Sequence, residues 1–195
     1  MVIILGYNNT ESQIVNSILD KNNISYKYSL LESQILDADK LILPNPENFN
    51  SAYRRVNMMN LFSMLKIIDK PILGIDNAIY FMCSQILDKF KCGLGLFDFD
   101  LNFKGKQEIE ELYVKGKVDV QDDSKLVKIS EKGSTIWFNE AKQYPLSEYS
   151  KSSVLNQIGR RTSITYEKGN SYAVTIDFEK NPDFAKRAIE NFLNL

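Results

Sequence analysis

Short apolar runs recur through the first half of the chain, at residues 2–5, 40–43 and 72–75, and an alternating run lies at 24–28. Uninterrupted apolar runs of this length are typical of strands that are buried on both faces of a parallel sheet. Stretches with helical spacing of apolar residues lie between them. The resulting order, βαβαβαβ, predicts an α/β fold with a parallel, doubly wound sheet and helices on both of its faces.

The predicted helices of this half are recognised by their start signals and apolar spacing. Thr10 followed by Gln13 is a capping box, which predicts that the first helix begins at Thr10. A short helix is predicted over 31–36, and one continuous helix over 53–68, where the apolar positions are rich in methionine and aromatic residues. A further helix is predicted over about 77–89.

The second half of the chain changes to short strands separated by turns that contain glycine and aspartate, which predicts β-hairpins. The polar stretch 144–153 is predicted to be a loop, and a final amphipathic helix opens at Asn181. No repeat or interdomain linker is visible, so residues 1–195 are expected to form one domain. The predicted strands of this half lie at 112–114, 117–120, 126–129, 135–138, 163–166 and 172–176.

Composition narrows the class of protein. The formal net charge of the 195 residues is -1, so no basic field indicates a nucleic-acid partner. No apolar run has the length that a membrane span needs, and no basic leader precedes an apolar stretch. The two cysteines, Cys83 and Cys92, are expected to be reduced thiols. We therefore expect a cytoplasmic protein with no membrane partner and no cofactor.

The chain contains no histidine. This absence excludes every Ser–His or Cys–His catalytic pair and every histidine-ligated metal site within the chain. Any chemistry must therefore use carboxylates, lysine, tyrosine, cysteine alone or residues of a partner.

The stretch 71–83 carries the most specific signal for a site. It is predicted to be a buried strand, a sharp turn at Asp76-Asn77 and a helix, and in α/β enzymes such a turn often presents a nucleophile beside a helix N-terminus. Asp76 also suits a purely structural role as a helix cap. Cys83 lies about two helical turns beyond the bend and is not expected to reach it.

Several short motifs, in order, resemble the class I (triad) glutamine amidotransferases, and among them the glutaminase subunit of imidazole glycerol phosphate synthase. The resemblance covers nearly the whole chain. It implies a flavodoxin-like, three-layer fold with a mostly parallel sheet flanked by helices and with hairpins in the second half. The motifs are Leu43-Pro44, Pro71-Ile72-Leu73-Gly74-Ile75, Gly93-Leu94-Gly95-Leu96, Trp137-Phe138-Asn139 and Ile176-Asp177-Phe178-Glu179-Lys180.

The departures from the family pattern fall at the catalytic positions. The resemblance places Asp76 where the family has its nucleophilic cysteine and Asp177 where it has its catalytic histidine, whereas Glu179 matches the third triad residue. The loop that supplies oxyanion donors is degenerate, and so is the glutamine pocket. Asn45, Pro46 and Glu47 stand in that loop, and Ala78 and Tyr80 in the pocket.

These losses predict a pseudo-glutaminase that serves as the partner or regulatory subunit of a synthase. The resemblance implies a (β/α)8-barrel synthase subunit as the partner in a heterodimer, as in histidine biosynthesis. Two alternatives stay open. The chain is a functional amidotransferase in histidine or surface-sugar biosynthesis that a partner completes, or it is a small-molecule binding module that uses the old glutamine pocket.

A narrower hypothesis concerns the carboxylates at the triad positions. If the family fold holds, Asp76, Asp177 and Glu179 converge where the triad residues would meet. Carboxylates at such short range raise one another's pKa or gather a cation. The sequence therefore also suggests a divalent-ion or cationic-ligand site, although no metal site is expected from ligand motifs.

Overall fold

The computed structural model describes residues 1–103, 113–155 and 159–195. The strands are β1 (Val2–Leu5), β2 (Tyr26–Ser29), β3 (Lys40–Leu43), β4 (Ile72–Ile75), β5 (Gln85–Ile86), β6 (Lys91–Cys92), β7 (Tyr113–Val120), β8 (Thr135–Asn139), β9 (Ser150–Leu155), β10 (Arg161–Lys168) and β11 (Ser171–Val174). The helices are α1 (Gln13–Lys21), α2 (Glu32–Asp37), α3 (Phe49–Met58), α4 (Leu61–Ile67), α5 (Ile79–Met82) and α6 (Pro182–Leu193).

Within the described residues, nine strands form one sheet in the order β2-β1-β3-β4-β11-β10-β9-β7-β8. The first five strands of this order run parallel, and β10, β9, β7 and β8 extend the sheet in antiparallel fashion. Every residue of β1 and β4 is buried. The α/β fold with a mostly parallel sheet is therefore confirmed.

Helices cover both faces of the parallel strands, which gives three layers. Alternate residues of β1 point to opposite sides: Ile3 and Leu5 pack in the core formed with α2, α3, α4 and α5. Val2 and Ile4 pack in the second core, formed with α1 and α6. None of the helices in the described ranges is long and apolar enough to cross a membrane.

The first helix begins later than the capping box predicts. Its N-cap is Ser12, whose side chain makes no capping bond. The Ser12 backbone N–H instead donates to the Tyr28 hydroxyl at 2.9 Å. Thr10 donates its hydroxyl and its backbone N–H to the carboxylate of Glu47, so a contact distant in sequence replaces the local box.

The single helix predicted over 53–68 is wrong, because two helices occupy this region. Asn60 adopts a left-handed backbone conformation with φ of 54°, which ends α3 and begins α4. Asparagine tolerates this conformation better than most residues other than glycine. The first of the two helices begins earlier than predicted, where the Asn48 side chain accepts the Ser51 backbone N–H at 3.0 Å.

The helix after the bend is also shorter than predicted, since α5 ends at Met82 instead of near residue 89. Backbone carbonyls that would continue it accept bonds from the following segment. The Leu94 N–H donates to Phe81 at 2.6 Å, and the Phe97 N–H donates to Met82 at 3.1 Å. The chain then forms a small hairpin of β5 and β6.

In the second half, the first two predicted strands belong to one strand, β7, and the predicted loop at 144–153 contains the start of another strand, β9. Gly116 does not interrupt β7, because a Cβ there would lie 2.4 Å from Val154 and 2.8 Å from Phe138, and glycine alone permits this close packing. The polar stretch 144–153 runs into β9, which begins at Ser150. Leu112, the first residue of one predicted strand, lies outside the described residues.

Residues 126–129 are not a strand, because the carboxylate of Glu167 in β10 holds this segment in an irregular conformation. That carboxylate accepts the backbone N–H groups of Lys125 at 2.9 Å and Leu126 at 3.0 Å, and the hydroxyl of Ser124 at 2.8 Å. Glu167 is buried. One buried acceptor therefore fixes the loop that covers this edge of the core.

We expect Glu167→Gln to lower the free energy of unfolding by about 1–3 kcal/mol, because an amide nitrogen would face backbone donors. Urea denaturation at neutral pH measures this change. Glu148→Gln, which alters an exposed side chain, is the matched control and should change the free energy by less than about 0.5 kcal/mol. Equal stability of the two variants would contradict the role assigned to Glu167.

Candidate functional site

The bend predicted at Asp76 is a sharp turn directly after β4. Asp76 adopts the left-handed backbone conformation with φ of 49°, and a 3₁₀ turn over Asp76–Ala78 leads into α5. A residue other than glycine in this conformation is uncommon, although aspartate is enriched among the exceptions. The side chain is placed at the carboxyl end of a central strand and is only 4% exposed.

Lys142 is the partner of this buried carboxylate. Its ammonium lies 3.0 Å from one Asp76 carboxylate oxygen and 3.2 Å from the other. The lysine side chain is 15% exposed. It follows β8, where a turn joins the Lys142 N–H to the Asn139 carbonyl at 3.0 Å. The site therefore contains a largely buried ion pair between residues 66 positions apart in the sequence.

Burial dominates the electrostatics of Asp76. Desolvation raises the pKa of its carboxyl, and the nearby charge of Asp177 raises that pKa further. The charge and hydrogen bond of Lys142 act in the opposite direction. The charged form of Asp76 therefore depends on Lys142, because this lysine is the main group that offsets the free-energy cost of removing the carboxylate from water.

The structure brings Asp177 to the same place but not the side chain of Glu179. Asp177 follows β11, is half-buried and accepts the Tyr113 hydroxyl at 2.7 Å. It also accepts the backbone N–H of Glu179 at 2.8 Å. Glu179 itself is exposed. Two of the three carboxylates therefore share one site.

The hypothesis of a cation site formed by these three carboxylates does not agree with the structure. Across residues 1–103, 113–155 and 159–195, no group of three or more histidine, cysteine, aspartate or glutamate residues is arranged to hold a metal ion. The ammonium of Lys142 already provides the positive charge beside Asp76. Lys142 could not be identified from the sequence, because no spacing or motif links a lysine beyond β8 to the end of β4.

The cavity beside the ion pair is small. It has a volume of about 10 Å³, which is room for about one water molecule. Burial raises the pKa of Tyr144 well above its ordinary value, so its phenol is a neutral hydroxyl there. The residues that line the cavity include Asp76, Asn139, Lys142, Tyr144, Ser163 and Asp177.

The loop after β3, which carries Asn45, Pro46 and Glu47, is bonded to the loop after β1 and to the turn after β4. Asn45 accepts the Asn77 side-chain amide at 3.1 Å. Glu47 accepts the Thr10 N–H at 3.0 Å, and the Thr10 hydroxyl lowers the pKa of Glu47. Pro46 is buried and has no N–H to donate. Side-chain contacts within the chain therefore hold this loop.

Ala78 and Tyr80 belong to the packed core. Ala78 is fully buried, and Tyr80 is 3% exposed. The Tyr80 ring packs against Phe103 with centroids 5.0 Å apart and against Phe49 at 5.8 Å. The tyrosine thus occupies the space beneath the bend with aromatic packing.

Comparison with known proteins agrees with this architecture. A solved glutamine amidotransferase structure superposes over 99% of this chain and 97% of its own, with a TM-score of 0.67 and 12% identity. A glutamine amidotransferase from Thermotoga maritima covers 99% and 82%, with a TM-score of 0.53 and 14% identity. The fold is that of the glutamine amidotransferases. No family model matches the sequence.

Curated relatives extend the likeness at low sequence identity. Imidazole glycerol phosphate synthase subunit HisH 1 of Vibrio vulnificus is 24% identical over 168 residues, which cover 83% of this chain and 81% of the relative. The HisH subunit of Vibrio parahaemolyticus is 25% identical over 174 residues, with the same coverage. The chain is thus related to HisH, and the predicted resemblance to these subunits is confirmed at that level.

We expect Lys142→Met to lower the free energy of unfolding by about 3–5 kcal/mol at neutral pH, because it leaves the buried Asp76 carboxylate without a counter-charge. The pKa of Asp76, already raised by burial, should rise further in this variant. An acid whose pKa is higher in the folded state than in the unfolded state loses stability as pH rises between those two values. Lowering the pH through that window should therefore restore part of the loss.

Urea denaturation at a series of pH values measures this effect. Lys128→Met, which removes an exposed lysine outside the cavity beside the ion pair, is the matched control and should show neither the loss nor the pH dependence. A Lys142→Met variant as stable as that control at neutral pH would contradict the structural role of the pair.

Proposed function

We propose that this chain is a glutaminase-like subunit that does not hydrolyse glutamine and that acts as the partner or regulatory subunit of a synthase. The observation that carries the proposal is the Asp76–Lys142 ion pair at the turn after β4. In the alignment implied by the family motifs, this turn is the position of the nucleophile. A closed ion pair there leaves neither group available for attack on an amide.

The chemistry of amide hydrolysis supports this proposal. The covalent route needs a nucleophile and a base that removes and returns a proton. The chain has no histidine to act as that base, and the aspartate at position 177 is bonded to Tyr113 and to the Glu179 backbone. The Lys142 side-chain nitrogen is bonded to both carboxylate oxygens of Asp76, at 3.0 and 3.2 Å. The described residues at the site therefore offer no proton acceptor matched to this reaction.

The loop that would supply oxyanion donors is unsuited to the task as well. Pro46 lacks an N–H, and the backbone N–H of Glu47 donates to the Asn8 side chain at 3.1 Å. Removing one oxyanion donor typically costs about 10²–10³ in rate. Loss of oxyanion donors from this loop is therefore expected to lower the rate of amide hydrolysis further, beyond the loss of the nucleophile and base.

The side chains at the two pocket positions argue against the old glutamine pocket as a binding site. Tyr80 and Ala78 fill the core beneath the turn. These observations favour an interaction subunit over a small-molecule module that uses this pocket.

The proposed partner is a synthase subunit, because the HisH relatives carry the name of a synthase subunit. We propose more specifically that the partner is a (β/α)8-barrel subunit and that the two subunits form a heterodimer in the cytoplasm. An exposed aromatic side chain on β8 suits a docking role: Trp137 is 40% exposed. The ammonium of Lys115 lies 4.8 Å from its ring centre.

We expect no release of ammonia from glutamine, either by the chain alone or by the complex purified with its partner. A coupled glutamate dehydrogenase assay measures the release, with a glutaminase of known activity as the positive control. Asp76→Cys alone should stay inactive, because no base stands at position 177. Release by the complex but not by the chain alone would overturn the proposal and show that the partner completes the site.

A further inference from the structure

A second cleft lies away from the ion pair, between the loops that follow β1 and β2. Its volume is about 480 Å³, which falls in the range of about 300–1,000 Å³ typical of small-molecule sites. It lies at the carboxyl ends of two parallel strands, the end of the sheet where α/β proteins bind ligands. Its lining includes Asn8, Thr10, Glu11, Lys27, Leu31 and Gln34.

Two side chains of opposite charge line this cleft. Glu11 and Lys27 are both exposed, and neither forms an ion pair with any residue that the structure describes. Glu11 accepts one hydrogen bond, from the Asn16 side chain at 3.0 Å. The cleft therefore presents one available positive charge and one available negative charge to the same volume.

The wall formed by the loop after β1 is held in place before any ligand arrives. The Asn8 side chain donates to the Asn45 carbonyl at 2.8 Å, and Arg55 donates to the carbonyls of Tyr7 and Asn8 at 3.0 and 3.2 Å. A preformed wall reduces the entropy that binding would otherwise cost. Leu31, which is 52% exposed, adds an apolar surface to the cleft.

We propose that this cleft binds a zwitterionic molecule of the amino-acid or short-peptide class. Lys27 takes the carboxylate, and Glu11 takes the ammonium. The site shares no lining residue with the cavity beside Asp76, so it is a separate site whose existence does not depend on the loss of glutaminase activity.

Isothermal titration calorimetry tests the proposal with two probes, L-glutamine and the dipeptide alanyl-glutamine. We expect one-site binding of at least one probe, and the tighter of the two identifies the source of the ligand. N-acetylation of that probe, which removes the ammonium, and amidation of its carboxylate should each weaken binding at least about tenfold. Absence of binding by both probes would overturn the proposal.

Two variants locate the bound probe. Lys27→Met and Glu11→Gln should each weaken binding at least about tenfold, whereas Lys128→Met should leave it unchanged. Both substitutions change exposed side chains, so the fold is expected to tolerate them, and circular dichroism checks this. Binding that is unaffected by Lys27→Met and Glu11→Gln, or equally tight for the N-acetylated probe, would contradict the assignment.

Discussion

A buried carboxylate at the end of a central strand needs a compensating charge, and much of this molecule's candidate site follows from that need. Asp76 is held in a left-handed turn after β4, where the surrounding core removes its water. Lys142 supplies the charge from the turn after β8. A buried pair of this kind is costly to break, because either partner alone is left charged and unsolvated.

The pair also ties together the two parts of the sheet. Asp76 and Asp177 follow β4 and β11 of the parallel part, whereas Lys142 and Tyr113 come from the antiparallel extension. The hydrogen bond from the Tyr113 hydroxyl to Asp177 also joins these two parts. Asp76 and Asp177 therefore each form a contact between the two parts of the sheet.

The fold could be predicted in outline from the sequence, because the residue patterns that indicate its strands and helices are local. The apolar runs of β1, β3 and β4 and the amphipathic face of α6 are visible without tertiary contacts. Some departures from the predicted elements could not be foreseen, because they depend on residues distant in sequence. Glu167 holds residues 126–129 in an irregular conformation, and Tyr28 rather than Thr10 completes the start of α1. For the site, the positions of Asp76 and Asp177 followed from motif order. Lys142 could not be predicted, because only the folded chain brings it to Asp76.

The most direct test of this account is a double-mutant cycle on the ion pair, with Asp76→Asn, Lys142→Met and the double variant measured by urea denaturation at neutral pH. The account predicts that the two substitutions are strongly non-additive, with a coupling energy of about 1–3 kcal/mol. In that case the double variant is more stable than the sum of the single losses implies. Additive losses, with a coupling energy near zero, would contradict the claim that Asp76 and Lys142 form the pair that closes this site.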